Sequence, residues 1–160
     1  MSKFAPEIKP VKSERDLRVG IVSTLWNRHI IEKLRDGAIA TLREAGVAAD
    51  MIDTFDVPGA VELTFGASKL IESGFYDVII VFGCVIRGGT PHFDYVCQSV
   101  TQGITHLNAE CDIPTIFGVL TVDCEQDALD RCGGPAGHKG VEAAQAALQM
   151  YDFVQKTNEL

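Results

Sequence analysis

Short apolar runs alternate with stretches of helical spacing along most of the chain. Residues 18–23 form an apolar run that predicts a first strand. Apolar residues then recur every three or four positions, as on one face of a helix, at Ile31, Leu34, Ala38, Leu42 and Ala45, before the natural stop Gly46. The same reasoning predicts strands within 47–55, 77–84 and 115–121, helices over 60–73, 91–109, 124–132 and 140–155, and a glycine-rich loop at 133–139.

This alternation predicts an α/β protein of three layers, in which helices cover both faces of a parallel sheet. Residues 78–82 are continuously apolar, as expected for a strand that is buried on both sides. Right-handed crossovers leave a doubly wound sheet, most simply four strands in the order 2-1-3-4. Ligands of such sheets bind beyond the carboxyl ends of the strands where the order reverses, here between the first and third strands. The loops 24–28 and 87–92 should meet there.

The third predicted strand ends in a glycine-rich turn that leads into a helix. Gly89 is followed by Thr90, Pro91 and His92, and threonine before proline is typical of a helix cap and its first residue. Glycines let backbone N–H groups approach an anion, and a helix N-terminus carries partial positive charge. The segment predicts an anion or phosphate cradle with an imidazole beside it. An ordinary strand–helix turn would show similar residues, and the glycines match neither the dinucleotide fingerprint nor the P-loop.

Length, composition and charge narrow the class of protein. With 160 residues, 46% of them hydrophobic, the chain suits one domain over 17–160, preceded by a polar, extended tail over 1–16. The net charge of −8 argues against nucleic acid or an anionic membrane as the main partner. The beginning of the sequence lacks the apolar core of a signal peptide, and no apolar run reaches the ~20 residues that span a bilayer.

The five cysteines predict free thiols. Their number is odd and no C-x-x-C pair occurs, which argues against a disulfide framework or a zinc site and favours the cytoplasm. No histidine pair or carboxylate cluster has the spacing of metal ligands, so we expect no metal. Cys84 and Cys97 have no evident basic partner in the sequence, and we therefore expect no thiolate catalysis.

Individual side chains near the predicted crevice suggest chemistry, each with a plainer alternative. Trp26 follows the first strand and could stack on a planar heterocycle, or it could lie in the core or an interface. His92 could act as general acid or base, because an unperturbed histidine pKa is ~6.5. Arg131 and Lys139 flank the glycine-rich loop and could bind phosphate, or lie at a solvated helix end. Glu62 could hold polar ligand atoms or favour its helix N-terminus.

Several segments together resemble the lumazine synthase family, and the resemblance covers nearly all of 18–151. They are LWN at 25–27, VPGAVEL at 57–63, GCVIRGGTPHFDYVC at 83–97, IFGVLT at 116–121, EQ and R within 125–131, and AGHKG followed by EAA within 136–144. The resemblance implies a flavodoxin-like fold and no cofactor. Three residues depart from common family patterns: Val61 replaces an aromatic, Thr64 replaces proline, and Cys84 stands where Thr, Ala or Val is frequent.

The family condenses 5-amino-6-ribitylaminopyrimidinedione with 3,4-dihydroxy-2-butanone 4-phosphate to give 6,7-dimethyl-8-ribityllumazine, phosphate and water. The resemblance implies that His92 is the proton donor and that the phosphate is held by Gly89, Thr90 and Arg131. It implies that the pyrimidinedione and its ribityl chain contact Trp26, Ala60, Val61, Glu62, Cys84, Val85, Ile86, Phe117 and Lys139. Of these residues, Phe117, Arg131 and Lys139 would come from a neighbouring subunit.

The resemblance also implies homopentamers that pack into a hollow icosahedral shell, with riboflavin synthase as a candidate partner. Pentamer-only relatives carry an insertion between the last two helices, which is missing from the short 133–138 segment. A flavodoxin-type FMN carrier would need a glycine-rich loop after the first strand, and residues 23–28 contain no glycine. A phospho-receiver domain would need Asp at the end of the third strand, where this chain has Cys84. A non-catalytic flavin- or lumazine-binding or shell-forming relative remains the alternative, because the same residues would bind product-like rings.

Overall fold

The computed structural model describes residues 16–160, so the predicted tail at 1–16 lies, except for Asp16, outside the described residues. The main elements, in chain order, are β1 Val19–Thr24, α1 Arg28–Glu44, β2 Ile52–Val57, α2 Leu63–Ser73, β3 Val78–Ile86, α3 His92–Glu110, β4 Thr115–Val122, α4 Glu125–Leu129, β5 Cys132–Gly134, β6 Gly137–His138 and α5 Lys139–Asn158. Short 3₁₀ turns at Ala49–Met51 and Ala60–Glu62 precede β2 and α2.

The sheet has the predicted order β2-β1-β3-β4, and all its strands are parallel. Helices α1 and α5 cover one face, where Phe82 and Ile80 of β3 meet Leu34 of α1. Helices α2 and α3 cover the other face of the sheet, where Ile79 and Val81 of β3 belong to a second cluster of buried apolar residues. Side chains alternate between the two faces of a strand, so a strand covered on both sides must be apolar at successive positions. The expectation of a flavodoxin-like three-layer α/β fold is confirmed.

Most predicted elements agree with the structure to within a few residues. Gly46 and Gly74 adopt positive φ values of 94° and 68° just beyond helices α1 and α2, as expected for glycines that end helices. The second strand begins only at Ile52, because the residues before it form a 3₁₀ turn. The predicted helix 60–73 is likewise divided into a 3₁₀ turn and α2.

The predicted helix 124–132 and the loop after it are wrong in part. Helix α4 has only the five residues Glu125–Leu129, and β5 and β6 pair as a small antiparallel hairpin in place of an irregular loop. Gly133 and Gly137 have φ values of 103° and 89°, a region that other residues rarely adopt. The Lys139 amide donates to the Arg131 carbonyl over 2.8 Å, which closes the hairpin at its base.

The predicted start of α3 also needs correction. The helix begins at His92, with Pro91 as the residue before it at φ −62° and ψ −6°. In residues 16–160 the Thr90 hydroxyl has no hydrogen-bond partner, so Thr90 does not cap this helix. The first turn is closed by the backbone instead, because the Asp94 amide donates to the Pro91 carbonyl over 3.0 Å.

Helices α1 and α5 approach each other closely because glycine lies at their contact. A Cβ at Gly140 would overlap the backbone carbonyl of Leu34, and a Cβ at Gly37 would overlap the His138 ring. His138 also accepts a hydrogen bond at Nδ1 from the Val141 amide over 3.4 Å. The hairpin and the start of α5 are therefore fixed against α1.

This contact yields a prediction about stability. Helix propensity alone favours alanine over glycine, by up to ~1 kcal/mol, so Gly140→Ala would stabilise α5 if packing were unimportant. We expect the opposite, a loss of about 1–3 kcal/mol in the free energy of unfolding, because the added methyl meets backbone that cannot rotate away. Urea unfolding measures this change in the free energy of unfolding. Gly88→Ala, where the added Cβ meets open space, is the matched control and should change stability little. A stabilised Gly140→Ala protein would contradict this account.

Candidate active site

A crevice opens at the carboxyl edge of the sheet because β1 ends before its neighbour. The last β1 residue in register with β3 is Ser23, opposite Phe82, whereas β3 continues to Ile86. The space left by β1 is a pocket of about 430 Å³. Its lining comes from both sides of the switch point: Thr24, Trp26, Asn27, Gly59, Ala60, Val61, Glu62, Cys84, Val85, Ile86, His92 and Val96. A pocket therefore lies at the point where the strand order predicts a ligand site.

Trp26 lies at the mouth of this pocket. Its side chain is 73% exposed, so it is not a core tryptophan. The buried Thr24 hydroxyl donates to the Trp26 carbonyl over 3.2 Å, and the Leu25 amide donates to the Val57 carbonyl over 2.9 Å. A Cβ at Gly59 would come within 3.5 Å of Trp26 Cδ1, so the indole lies close over the turn that follows β2. The backbone is thereby fixed while the ring face stays accessible.

Asn27 is a site residue to which the sequence analysis gave no role. It has φ 57° and ψ 40°, the only positive φ outside glycine in the described chain. Its side-chain amide donates to the Cys84 carbonyl over 2.9 Å, and its own carbonyl accepts the Ile30 and Ile31 amides at the start of α1. Asparagine tolerates this left-handed conformation better than most residues, which is the signal that could have identified it. Asn27 thus joins the Trp26 loop to the end of β3.

The end of β3 has backbone N–H and C=O groups that are not hydrogen-bonded by a neighbouring strand. The Arg87 amide points towards β4, since it donates to the Val122 carbonyl over 2.9 Å, whereas the Cys84 carbonyl points towards Asn27 on the β1 side. Backbone groups alternate along a strand, so the N–H and C=O of Ile86 share the direction of Cys84. No β1 residue is in register with Ile86. An edge of this kind can bind a planar ring through paired N–H and C=O groups.

Cys84 contributes to the pocket as a neutral thiol. The residue is buried, and burial raises the pKa of its thiol to about 12, with smaller contributions from Cys132 and Glu125. Burial likewise raises the pKa of Cys97. Because a raised pKa keeps a thiol protonated at neutral pH, these groups are poor nucleophiles. All five cysteines are free, as predicted.

Glu62 lines the pocket and also closes the turn that precedes α2. Its Oε2 accepts the Gly59 amide over 2.9 Å, as a carboxylate does when it closes the first turn of a helix. His92 stands in the first turn of α3, and its exposed ring has no hydrogen-bond partner within residues 16–160. Val96, one helical turn further on the same face, also lines the pocket and was missed, although its spacing from His92 indicates it.

The remaining predicted residues do not line this pocket. Gly89 and Thr90 lie in the turn before α3, and a Cβ at Gly89 would meet nothing within 4 Å. Arg131 donates from Nη1 to the Asp127 carbonyl over 2.6 Å, and Lys139 pairs with Glu142 over 2.6 Å. The structure therefore leaves two basic residues outside the pocket of their own chain.

Phe117 belongs to a different groove. It is in register with Val81, four residues before Val85, which places it about 13 Å down the sheet from the pocket. The groove there has a volume of about 450 Å³ and includes the exposed apolar residues Phe117, Met150 and Phe153.

Among the described residues, no cluster of His, Cys, Asp and Glu could hold a metal ion. No helix of that same stretch is long and apolar enough to cross a membrane.

A doubly wound sheet with an aromatic-capped pocket at its switch point defines an α/β protein that binds small molecules. Residues 16–155 match the sequence model of the 6,7-dimethyl-8-ribityllumazine synthase family. Proteins of that name are 51% identical over 147 residues in Parabacteroides distasonis, covering 92% of each chain, and 48% identical over 143 residues in Bacteroides fragilis, covering 89% of this chain and 100% of that one. The chain belongs to the 6,7-dimethyl-8-ribityllumazine synthase family.

Asn27 provides a test of how the pocket is held. Asn27→Gly removes the hydrogen bond to Cys84 but keeps the left-handed conformation at no steric cost, whereas Asn27→Ala loses both. We expect losses in unfolding free energy of about 1 kcal/mol for glycine and roughly 2–3 kcal/mol for alanine. Trp26, the only tryptophan, reports on the loop by its fluorescence in the same titrations. Equal stability of the two variants would show that the backbone conformation contributes nothing.

Proposed function

We propose that this chain catalyses the family's reaction, the condensation of 5-amino-6-ribitylaminopyrimidinedione with 3,4-dihydroxy-2-butanone 4-phosphate. The observation that carries the proposal is the pocket itself, which unites Trp26, the turn at 60–62, the end of β3 and His92. Each of these lies within a segment that resembles the family. The volume of the pocket is within the range of small-molecule binding sites.

The pyrimidinedione would lie against Trp26 and along the end of β3. Its ring carries alternating C=O and N–H groups, which complement the free backbone N–H and C=O of Ile86, while Cys84 and Val85 would line the ring beside it. Ala60 and Val61 would line the ring and ribityl chain, and Glu62 would accept from a ribityl hydroxyl through lone pairs not used by Gly59. Val61 replaces an aromatic, so most of the stacking in this pocket would come from Trp26.

The phosphate of the butanone would bind at Gly89 and Thr90, beside the N-terminus of α3. A Cβ added at Gly88 or Gly89 would meet nothing within 4 Å in the described residues, and neither glycine has a positive φ. Packing and backbone strain therefore do not explain two successive glycines, whereas close approach of an anion does. The uncommitted Thr90 hydroxyl supplies a further donor.

The chemistry requires proton transfer and close positioning. An amine of the pyrimidinedione attacks the ketone of the butanone, and loss of water gives an imine. Proton removal from carbon then leads to elimination of phosphate, and attack of the second amine closes the ring with loss of a further water. His92, at the phosphate end of the pocket and without a partner of its own, would move these protons. Holding both substrates in one pocket supplies the proximity that the bimolecular step needs.

We also propose that Phe117, Arg131 and Lys139 complete the site of a neighbouring copy. Phe117 lies about 13 Å down the sheet from its own pocket, and both basic residues lie outside it. The other N–H groups of Arg131 have no partners within residues 16–160, so they remain available to a phosphate. Exposed apolar residues on the Phe117 groove favour burial against another subunit. The copies would form pentamers in the cytoplasm.

The pentamers would pack further into an icosahedral shell, against which riboflavin synthase would associate. The hairpin of β5 and β6 is tight, with Ala136 donating to the Asp130 carbonyl over 3.0 Å, and adds no insertion between α4 and α5. We expect a sedimentation or light-scattering mass of about sixty chains. A mass that stops at a pentamer or decamer would reject the shell while leaving the activity untouched.

Turnover of the two substrates, followed by lumazine absorbance, tests the activity directly. Binding of product without turnover would indicate a non-catalytic flavin- or lumazine-binding relative. We expect His92→Ala to slow turnover by ~10²–10⁴-fold without abolishing it, since positioning and a good leaving group remain. His106→Ala, on the exposed side of α3, is the matched control and should keep normal turnover. Unchanged turnover in His92→Ala would show that His92 is not the proton donor.

Mixing of inactive chains tests whether the site is shared. His92→Ala and Arg131→Ala chains, each of low activity, are refolded together in equal amounts. In a closed ring with one repeated interface, roughly a quarter of the sites would combine an intact His92 with an intact neighbouring Arg131. Activity should then rise well above both parents. Activity no higher than the mean of the parents, with hybrid rings confirmed by native mass spectrometry, would place both residues in one chain's site.

A further inference from the structure

Arg87 makes contacts on three sides at the base of the glycine turn. Its Nε donates to Asp123 Oδ1 over 2.9 Å, and its Nη1 donates to Asp94 Oδ1 over 3.4 Å. Its guanidinium carbon lies 4.1 Å from the centre of the Phe93 ring. The Arg87 amide also continues the β3–β4 pairing by donating to the Val122 carbonyl. Arg87 is thus linked to the residue after β4 and to the first turn of α3.

The two carboxylates are unfavourable neighbours for a phosphate. Asp94 lies two residues after His92, in the first turn of the helix whose N-terminus faces the turn 88–90. Asp123 follows β4 directly and is held next to the same turn by Arg87. Like charges repel, so these carboxylates would oppose a bound phosphate. The chain is acidic and offers little compensating positive charge elsewhere. Arg87 is the cation that pairs with both carboxylates in the described structure.

We propose that Arg87 is a positioning residue for the phosphate-bearing substrate. Arg87 masks the charges of Asp94 and Asp123 and ties the glycine turn to α3. This inference rests on the proposed binding of phosphate at Gly89 and Thr90. Arg87 acts through its neighbours, because its guanidinium donates to the two carboxylates, lies against the Phe93 ring and is not part of the pocket lining. A planar guanidinium suits this arrangement, since it can donate in two directions while stacking on a ring.

Charge masking makes a prediction that a purely structural contact does not. Arg87→Met leaves two bare carboxylates beside the phosphate, so the KM for the butanone phosphate should rise roughly tenfold. The KM for the pyrimidinedione should stay within about twofold of the normal value. Asp94→Asn and Asp123→Asn, added to Arg87→Met, remove the repulsion and should return the KM for the phosphate substrate most of the way to normal. If Arg87 only supported the fold, removing its partners as well would restore nothing.

Competition by inorganic phosphate supplies a second readout on the wild-type protein, Arg87→Met and the triple variant. Its inhibition constant should rise in Arg87→Met and fall again in the triple variant, and added salt should narrow the difference between them. Quenching of Trp26 by the pyrimidinedione shows that each variant keeps its pocket. If Arg87→Met does not fold, Arg87→Lys retains the charge but loses the two-directional contact, and its KM for the butanone phosphate should rise two- to fivefold.

Three results would overturn the inference. One is an unchanged KM for the butanone phosphate in Arg87→Met or, where that protein does not fold, in Arg87→Lys. Another is an equal rise in the KM of both substrates, and the third is a triple variant no better than Arg87→Met. The wild-type protein separates this inference from the proposed function: absence of turnover there rejects the function, whereas normal turnover without rescue rejects only the role of Arg87.

Discussion

The pairing of β1 with β3 governs the remainder of the structure. It reverses the strand order at the centre of the sheet, so the loops that leave these strands diverge to opposite faces and leave a crevice between them. β1 ends at Thr24 and β3 runs on to Ile86, so the crevice has one wall of free strand edge. Asn27 closes the other side by joining the Trp26 loop to Cys84. A binding pocket is thus built from a difference in strand length.

On the proposed function, local placement of donors would resolve the difficulty of binding a phosphate to an acidic protein. The site does not depend on a basic surface, since the chain carries a net charge of −8. It offers the N-terminus of α3, the free Thr90 hydroxyl and the backbone of two glycines that packing does not require. On the proposal made here, Arg87 removes the opposing charge of two carboxylates, and a neighbouring Arg131 supplies positive charge from outside the chain.

The pocket and the basic residues of the β5–β6 hairpin lie apart in one chain. The pocket has an aromatic cap and a strand edge but neither Arg nor Lys in its lining, while Arg131, Lys139 and Phe117 lie elsewhere. The α1–α5 contact, in which Gly140 meets the Leu34 backbone, fixes the hairpin that carries the basic pair. A site shared between copies would explain why the protein holds this hairpin so firmly at a distance from its own pocket.

The layers, the strand order and the position of the crevice follow from local patterns in the amino-acid sequence. Continuous apolar residues in β3 require burial on both faces, and short βα spacing leaves few topologies. The helices around Gly46 and Gly74 were predicted because glycine at a helix end is a local signal. The position of the β5–β6 hairpin and the role of Asn27 depended on tertiary structure. Both arise from contacts between residues distant in sequence, His138 with Gly37 and Asn27 with Cys84. Periodicity and local propensity contain no information about such pairs, because they exist only once the sheet has brought its strands together.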